Sequence, residues 1–140
     1  MAKKKGIKYW KKKAWKEFSK FIRLRDAIET TGTKERAVCC TCGKQYNAFG
    51  VGCLQAGHFI PGRSNSVLID ETGVHAQCWN CNQTLNGNWV EYEKFMINKY
   101  GKKFTEEKKL LRKQTKSISA SEWQGIYELY KNKFEELKHE

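Results

Sequence analysis

The sequence contains no long apolar segment. No run approaches the roughly 20 apolar residues that a membrane-spanning helix needs. The opening residues, MAKKKGIKYWKKKAWKEF, also lack the uninterrupted apolar stretch of a secretion signal. We therefore expect a soluble intracellular protein without a membrane partner. Internal repeats, low-complexity tracts and long linkers are missing too, so the 140 residues are expected to form one domain.

Acidic residues are few. The chain has 15 Asp and Glu against 27 Lys and Arg, a net charge of +12. The excess is concentrated in residues 1–36, which carry thirteen basic and four acidic side chains. A segment this basic favours a polyanionic partner, either nucleic acid or an acidic membrane surface. The alternative is a solvated lysine tail that only aids solubility.

Apolar residues at helical spacing predict helices at both ends of the chain. The first is expected at about 14–29, with a Lys and Arg outer face, after a lysine-rich lead-in over 1–13. Further helices are expected from Val90 to Tyr100 and near 105–113. Ser119 and Glu122 form a capping-box pattern that opens a last helix. Its apolar stripe packs on the domain or on a second subunit, and consists of Trp123, Ile126, Tyr127, Tyr130, Phe134 and Leu137.

Two C-x-x-C pairs lie in the irregular middle of the chain, residues 38–89, where short apolar runs predict a hairpin with loops. Cys39 with Cys42, and Cys78 with Cys81, each present two thiolates on a tight turn. Two such turns suit one tetrahedral Zn²⁺. Two disulfides would need an oxidising compartment, and a thioredoxin-like pair would need a βαβ setting. We therefore expect structural zinc that staples the two turns together.

The two remaining cysteines have other expected roles. Cys40 lies inside the first turn and could compete as a ligand, although Cys39 with Cys42 has the standard spacing. Cys53 is expected to be a small buried residue.

Two polar residues stand out around the zinc pairs. His58 ends the apolar run in AGHFIP, and Asn82 directly follows the last cysteine. A lone histidine on a strand is usually a hydrogen-bonded structural residue. An asparagine after a turn usually serves only to stabilise the turn backbone. A four-thiolate zinc has no open coordination position, so it would be structural and not catalytic.

The order C-x-x-C, G-H-F-x-P, C-x-x-C-N resembles the HNH, or ββα-metal, endonucleases, and the zinc arrangement resembles endonuclease VII, a phage junction resolvase. The segments FIRLRD, CCTCG, AGHF, VHAQCWNCNQ and NGNWVEY, with the last amphipathic helix, more closely resemble the phage NinG/Rap recombination proteins. That group is associated with cleavage of Holliday junctions and other branched DNA. The resemblance runs from about Phe21 to Leu137.

The resemblance implies an α+β fold with a small zinc-stapled ββα-metal (HNH-like) core in residues 37–100. A basic arm and helix over 1–36 and a C-terminal helical segment over 101–140 flank this core with amphipathic helices. It also implies a metal-dependent endodeoxyribonuclease, a phosphodiester hydrolase, in the cytoplasm of an infected or prophage-carrying bacterial host. Symmetric cutting of a four-way junction further implies a homodimer.

The resemblance assigns His58 as the catalytic general base and Asn82 as a catalytic residue that binds Mg²⁺ or Mn²⁺. A neutral imidazole can take a proton from water near pH 7, and an amide oxygen is acceptable to a hard cation. The sequence departs from the pattern at Gly57, where many HNH enzymes have an Asp ligand, and at Gly73, where an Asn is usual. The second cation ligand therefore stays open. The candidates are His75, which could equally be structural, and Asp70 or Glu71, which could be turn carboxylates.

A set of basic side chains is expected to bind DNA phosphates, with affinity that falls steeply as salt rises. The set is Lys11, Lys12, Lys13, Lys16, Lys20, Arg23 and Arg63. No recognition-helix signature predicts base-specific reading, so structure-selective cleavage is expected. Two alternatives remain: an HNH nicking enzyme of broader DNA specificity, and a non-catalytic zinc module that only binds nucleic acid.

Overall fold

The computed structural model describes residues 4–140, so residues 1–3 of the expected basic arm lie outside the described part of the chain. Within residues 4–140 there are five α-helices, four strands and two short helical turns. Their bounds are α1 Ile7–Thr31, β1 Arg36–Val38, β2 Gln45–Asn47, β3 Gln55–His58, α2 Asn65–Leu68, β4 Val74–Gln77, a π-helical turn Asn80–Thr84, α3 Trp89–Tyr100, α4 Lys102–Leu110, a 3₁₀ turn Leu111–Lys113, and α5 Ala120–Lys138. The expected mixed α+β class is confirmed.

Helix α1 is the centre of the fold and is longer than the sequence predicted. It begins at Ile7, so the expected non-helical lead-in over 1–13 is wrong for residues 7–13. Lysine is a good helix former, and Trp10 packs on Tyr127 of α5 with ring centroids 5.7 Å apart. The sequence could not show this distant contact. The helix ends at Thr31, and the next residue, Gly32, caps it with a φ of 73° that lets its N–H bond to the Ile28 carbonyl.

Two antiparallel hairpins pack against α1. Strand β1 pairs with β2, and β3 pairs with β4 in a register that sets Gln55 opposite Gln77 and His58 opposite Val74. Ala56 and Val74 face the apolar side of α1, which joins the second hairpin to the main core. The hairpin expected around His58 is therefore present, and the π-helical turn carrying Asn82 follows it.

Helix α5 covers the other side of α1. Ser119 Oγ accepts from the Glu122 N–H, and a Glu122 carboxylate oxygen accepts from the Ser119 N–H, both at 3.1 Å. The expected capping box is thus confirmed. Tyr130 packs on Phe18 with ring centroids 4.8 Å apart, and Phe134 joins the same buried cluster. Of the two alternatives for the apolar stripe, the structure shows packing on the protein's own domain.

The segment between the hairpins and α5 differs in one boundary. Helix α4 begins at Lys102, three residues before the expected start at Thr105. Thr105 is buried, and its hydroxyl donates to the Gly101 carbonyl at 2.8 Å, so it acts inside the first turn and not as the cap. No helix within residues 4–140 is both long and apolar enough to cross a bilayer.

A buried ion pair fixes α1 to the second hairpin. Asp26 accepts a bond of 2.6 Å from the Ala76 N–H and lies 2.8 Å from Arg25. Arg25 in turn donates to the carbonyls of Glu71 and Val74. Burial raises the pKa of Asp26, while Arg25 opposes that shift. These contacts fix the distance between α1 and β4.

Candidate functional site

The four paired cysteines form one compact cluster. The Sγ atoms of Cys39, Cys42, Cys78 and Cys81 all lie within 4.8 Å of one another, and those of Cys42 and Cys78 are 3.9 Å apart. A tetrahedral Zn²⁺ with Zn–S bonds of about 2.3 Å places its sulfurs about 3.8 Å from one another. The cluster therefore has the right donors and dimensions to hold a metal ion such as zinc.

Backbone N–H groups support the sulfurs. Cys39 Sγ accepts from the Cys78 N–H at 3.2 Å, and Cys78 Sγ accepts from the Cys81 N–H at 3.4 Å. Burial alone would raise the pKa of Cys39, but hydrogen bonds from Thr41 and the backbone lower it to about 7. The first turn therefore favours thiolate, the form that binds metal, at Cys39. Burial raises the pKa of Cys42 and raises that of Cys78 to about 12.

The other two cysteines stand apart from the cluster. Cys40 is not among the four clustered sulfurs and packs with Phe59 and Tyr92, where burial raises the pKa of its thiol well above the usual value. Cys53 was expected to be buried, but it is partly exposed and accepts from the Arg23 guanidinium at 3.5 Å. Its place at the end of a surface loop explains the difference.

A polar groove of about 310 Å³ lies between α1, β3 and the π-helical turn. Its walls include two arginines, three amide side chains and one indole. These residues are Trp15, Arg23, Gln55, Arg63, Asn82 and Gln83. A larger cleft of about 580 Å³, beside Phe49 and Phe134, contains none of the expected site residues. The smaller groove is therefore the candidate site.

Asn82 lies in this groove, directly after a clustered cysteine. Its amide nitrogen donates to Gln55 Oε1 at 2.8 Å, and Gln83 donates to the same oxygen at 3.0 Å. The bond uses the nitrogen of Asn82 and not the carbonyl oxygen that would bind a cation. Sequence reasoning missed Gln55, although a polar residue in the apolar run LQAGHFI was the available signal.

His58 ends β3, behind the groove wall. Its Nε2 lies 3.0 Å from the Leu68 carbonyl, and because a carbonyl only accepts, Nε2 carries the proton and Nδ1 is the basic nitrogen. The ring stacks on Trp15 with centroids 5.0 Å apart, and burial lowers the pKa of His58 to about 4. His58 is therefore neutral at pH 7. It does not itself line the groove, although Trp15 and Ala56 do.

His75 lies on the opposite face of the hairpin from His58. It is buried, its Nε2 lies 2.8 Å from the Tyr100 hydroxyl and its Nδ1 lies 3.3 Å from the Tyr92 hydroxyl. Tyr92 also donates to the Gly57 carbonyl at 2.6 Å. Both ring nitrogens are thus occupied away from the groove. These contacts favour the structural alternative for His75.

The acidic candidates are also occupied elsewhere. Asp70 lies 2.8 Å from Lys108 and accepts from both the N–H and the hydroxyl of Thr72. Glu71 accepts from Tyr130 and Lys133, each at 2.8 Å. Neither carboxylate lines the groove, so the structure does not bring a second expected cation ligand to Asn82.

Steric contacts explain why glycine occupies positions 57 and 73, where the HNH pattern would have Asp and Asn. A Cβ on Gly57 would stand 2.0 Å from Gln77 Oε1, and a Cβ on Gly73 would stand 2.7 Å from a carboxylate oxygen of Asp70. Neither position can carry an Asp or Asn side chain without rearranging a packed neighbour. Gln77 fills the space that a side chain before His58 would need.

The expected DNA-binding residues fall into two groups. Lys12 and Lys16 are exposed on α1, and Arg23 and Arg63 line the groove. The remaining three are partly buried and hydrogen-bonded within the chain. Lys11 donates to Asn65, Lys13 to Tyr9 and Lys20 to Glu17.

Comparison with known proteins gives one family. No curated protein and no solved structure matches the chain. The family model described as Bacteriophage Lambda NinG protein matches residues 1–140, the full sequence, and on this match the chain belongs to the phage lambda NinG family.

Proposed function

We propose that this protein is a metal-dependent endonuclease that cleaves branched DNA, with Holliday junctions as the preferred substrate, during phage recombination. The observation that carries the proposal is the polar groove. It joins Asn82 and two arginines in one cleft, beside the strand that ends at His58. Membership of the NinG family supports the proposed function, as does the resemblance of the motif order to HNH endonucleases.

The four-cysteine cluster is proposed to hold structural Zn²⁺. The metal would join the turn after β1 to the start of the π-helical turn, two segments separated by 35 residues. Asn82 follows Cys81 directly, so its position against Gln55 depends on that junction. Because four thiolates complete a tetrahedral shell, this ion would supply stability and not chemistry.

The hydrolytic step is assigned to His58 and Asn82. The amide oxygen of Asn82 would hold Mg²⁺ or Mn²⁺, which would supply charge stabilisation for the leaving 3′-oxyanion. His58 Nδ1 accepts the proton of the attacking water, because Nε2 is engaged with Leu68. Arg63 and Arg23 line the cleft and place positive charge beside the phosphate. Trp15 stacks on one face of the imidazole, so the water must approach Nδ1 in the plane of the ring.

A resolvase needs a second active centre, because a four-way junction is resolved by two symmetric cuts. We therefore propose a homodimer as the active species, working in the cytoplasm of the bacterial host. The main stripe of α5 packs on its own domain, so the dimer surface must lie elsewhere.

A second candidate function is a zinc module that binds branched or single-stranded nucleic acid without cutting it. The stacking of Trp15 on His58 favours this alternative, because it covers the proposed base. So does the occupation of His75 and Asp70 by other partners. An HNH nicking enzyme of broader specificity would share the groove and differ only in its substrate.

The test is cleavage of labelled four-way junctions and matched linear duplexes in Mg²⁺ or Mn²⁺. The wild type is expected to cut the junction preferentially, and His58→Ala and Asn82→Ala are expected to lose activity about 100-fold or more. His139→Ala is the matched control, because His139 lies at the exposed end of α5. Binding without cleavage, or undiminished cleavage by His58→Ala, would reject the assigned mechanism. Equal cutting of duplex would select the broader nicking enzyme.

A further inference from the structure

The connection between β2 and β3 presents an apolar side chain to solvent at its tip. Val51 is 99% exposed, the highest value among the exposed large hydrophobic residues. Gly50 and Gly52 flank it with φ angles of 93° and 67°, which L side chains rarely adopt. The backbone therefore makes a sharp turn that pushes one β-branched side chain outward.

The base of this loop is held firmly. The Leu54 N–H donates to the Asn47 carbonyl at 2.9 Å and closes the loop, and both Ala48 and Leu54 are buried. Phe49 packs on Phe134 with ring centroids 6.0 Å apart. The base of the loop is therefore fixed to the core, and Val51 projects from it.

Arg23 of α1 joins the two ends of the loop. Its guanidinium donates to the Ala48 carbonyl at 3.0 Å and to Cys53 Sγ at 3.5 Å, and it lies 4.8 Å from the centroid of the Phe49 ring. Arg23 and Cys53 also line the polar groove. The side chain that braces the loop is therefore part of the candidate site, which puts the tip at the rim of the groove.

We propose that Val51 is a wedge that inserts between stacked bases at the branch point, next to the phosphate held in the groove. The inference rests on the proposed action on branched DNA and adds the residue that opens the substrate. Apolar side chains are known to unstack base steps in this way, and the step costs least where stacking is already interrupted. A junction offers such a step at its centre.

The size and charge of the surface favour DNA over a protein partner. A stable protein interface buries about 800 Å² on each side, far more than one valine between two glycines can offer. The groove below the tip carries Arg23 and Arg63, which suit a phosphate backbone. A single apolar point above a cationic cleft fits insertion into nucleic acid.

The test uses four-way junctions with 2-aminopurine at successive positions around the branch point, titrated with full-length protein in Ca²⁺. Anisotropy of a second label reports binding separately. The wild type and Val51→Ile are expected to raise 2-aminopurine fluorescence several-fold at one or two positions. Val51→Ser is expected to lose that rise at saturation, with affinity reduced about tenfold or less.

Val90→Ser is the matched control, because Val90 is also exposed but lies on α3 outside the groove. Circular dichroism and zinc content establish that each variant is folded. A full fluorescence rise with Val51→Ser, or junction binding by the wild type with no rise at any position, overturns the wedge alone. Absence of DNA binding by the wild type overturns the wedge together with the proposed function.

Discussion

The indole of Trp15 stacks on the imidazole of His58 with an angle of 21° between the ring planes. The Arg63 guanidinium also lies against Trp15, 4.5 Å from its ring centroid. Trp15 lines the groove and His58 does not, so the indole separates the proposed base from the proposed substrate site. One side chain of α1 therefore covers a face of the imidazole.

Removing that cover should change the acidity of His58. In Trp15→Ala, water reaches the imidazole, so its pKa is expected to rise from about 4 towards the unperturbed value of about 6.5. NMR titration of the histidine ring protons measures the shift. Trp89→Ala, which alters a partly exposed indole stacked on Phe59, is the control and should leave His58 unchanged. An unaltered His58 titration in Trp15→Ala would show that other groups bury the ring.

The buried imidazole of His58 should also make the free energy of unfolding depend on pH. Burial lowers the pKa of His58, hydrogen bonding to Leu68 and the charge of Asp70 oppose this, and Arg63 adds to it. The unfolded chain therefore binds more protons than the folded chain between about pH 6.5 and pH 4. The contribution of neutral His58 is complete above pH 6.5 and is lost as pH falls towards 4.

Urea unfolding of the wild type and His58→Asn at pH 7 and pH 5 measures this contribution. The wild type should lose about 2 kcal/mol more than the variant over that interval. The difference between the proteins cancels the effects of His75 and the cysteines, which both proteins share. Equal losses in the two proteins would mean that the folded pKa of His58 is close to its unfolded value.

Metal removal should unfold the hairpin region. Cys39→Ser and Cys81→Ser each leave three thiolates, so both are expected to lose bound zinc and several kcal/mol of the ~10 kcal/mol typical of structural sites. Elemental analysis and thermal unfolding with and without chelator measure this. Cys53→Ser is the control and should keep one zinc per chain, because Cys53 lies outside the cluster. Full zinc content in Cys81→Ser would remove that residue from the site.

The buried Arg25–Asp26 pair of α1, whose side chains also hydrogen-bond to β4, should contribute strongly to stability. Asp26→Asn leaves Arg25 without its carboxylate in a buried position, so a loss of about 3 kcal/mol is expected. Glu29→Gln, also on α1, breaks the exposed pair with Lys99 of α3 and should cost less than about 1 kcal/mol. Urea unfolding of both variants gives the comparison. If Asp26→Asn and Glu29→Gln lose similarly small amounts of stability, water hydrates the Arg25 guanidinium once its carboxylate partner is removed.

Local patterns in the sequence were enough to predict several elements. The capping box at Ser119 and the C-x-x-C spacing both depend on residues close together in the chain, and both appear in the structure. The predicted start of α1 is wrong because the observed start depends on the contact of Trp10 with Tyr127, more than a hundred residues away in the sequence.

The candidate site was only partly accessible to the same reasoning. The place of Asn82 after Cys81 is visible in the sequence, and its role is assigned only by the family resemblance. The stacking of Trp15 on His58 and the bonds from Arg23 to the loop arise from contacts between elements. No periodicity encodes such contacts. For the same reason Gln55, whose bond to Asn82 crosses from β3 to the π-helical turn, had no pairwise signal in one sequence.

The exposed lysines of α1 should set the salt dependence of DNA binding. Lys12 and Lys16 lie one helical turn apart on the outer surface, and Lys16 follows Trp15 of the groove wall. If each contacts one phosphate, Lys12→Gln with Lys16→Gln should reduce the slope of log K against log salt by about 2. Anisotropy titrations of a four-way junction over a range of salt concentrations measure the slope. Lys103→Gln, on α4 and outside the groove lining, controls for loss of net charge and should leave the slope nearly unchanged.

Equal reductions per charge at all three positions would mean that binding follows the net charge of the chain. A reduction confined to Lys12 and Lys16 would place the DNA backbone along α1, on a path that enters the groove between Arg23 and Arg63.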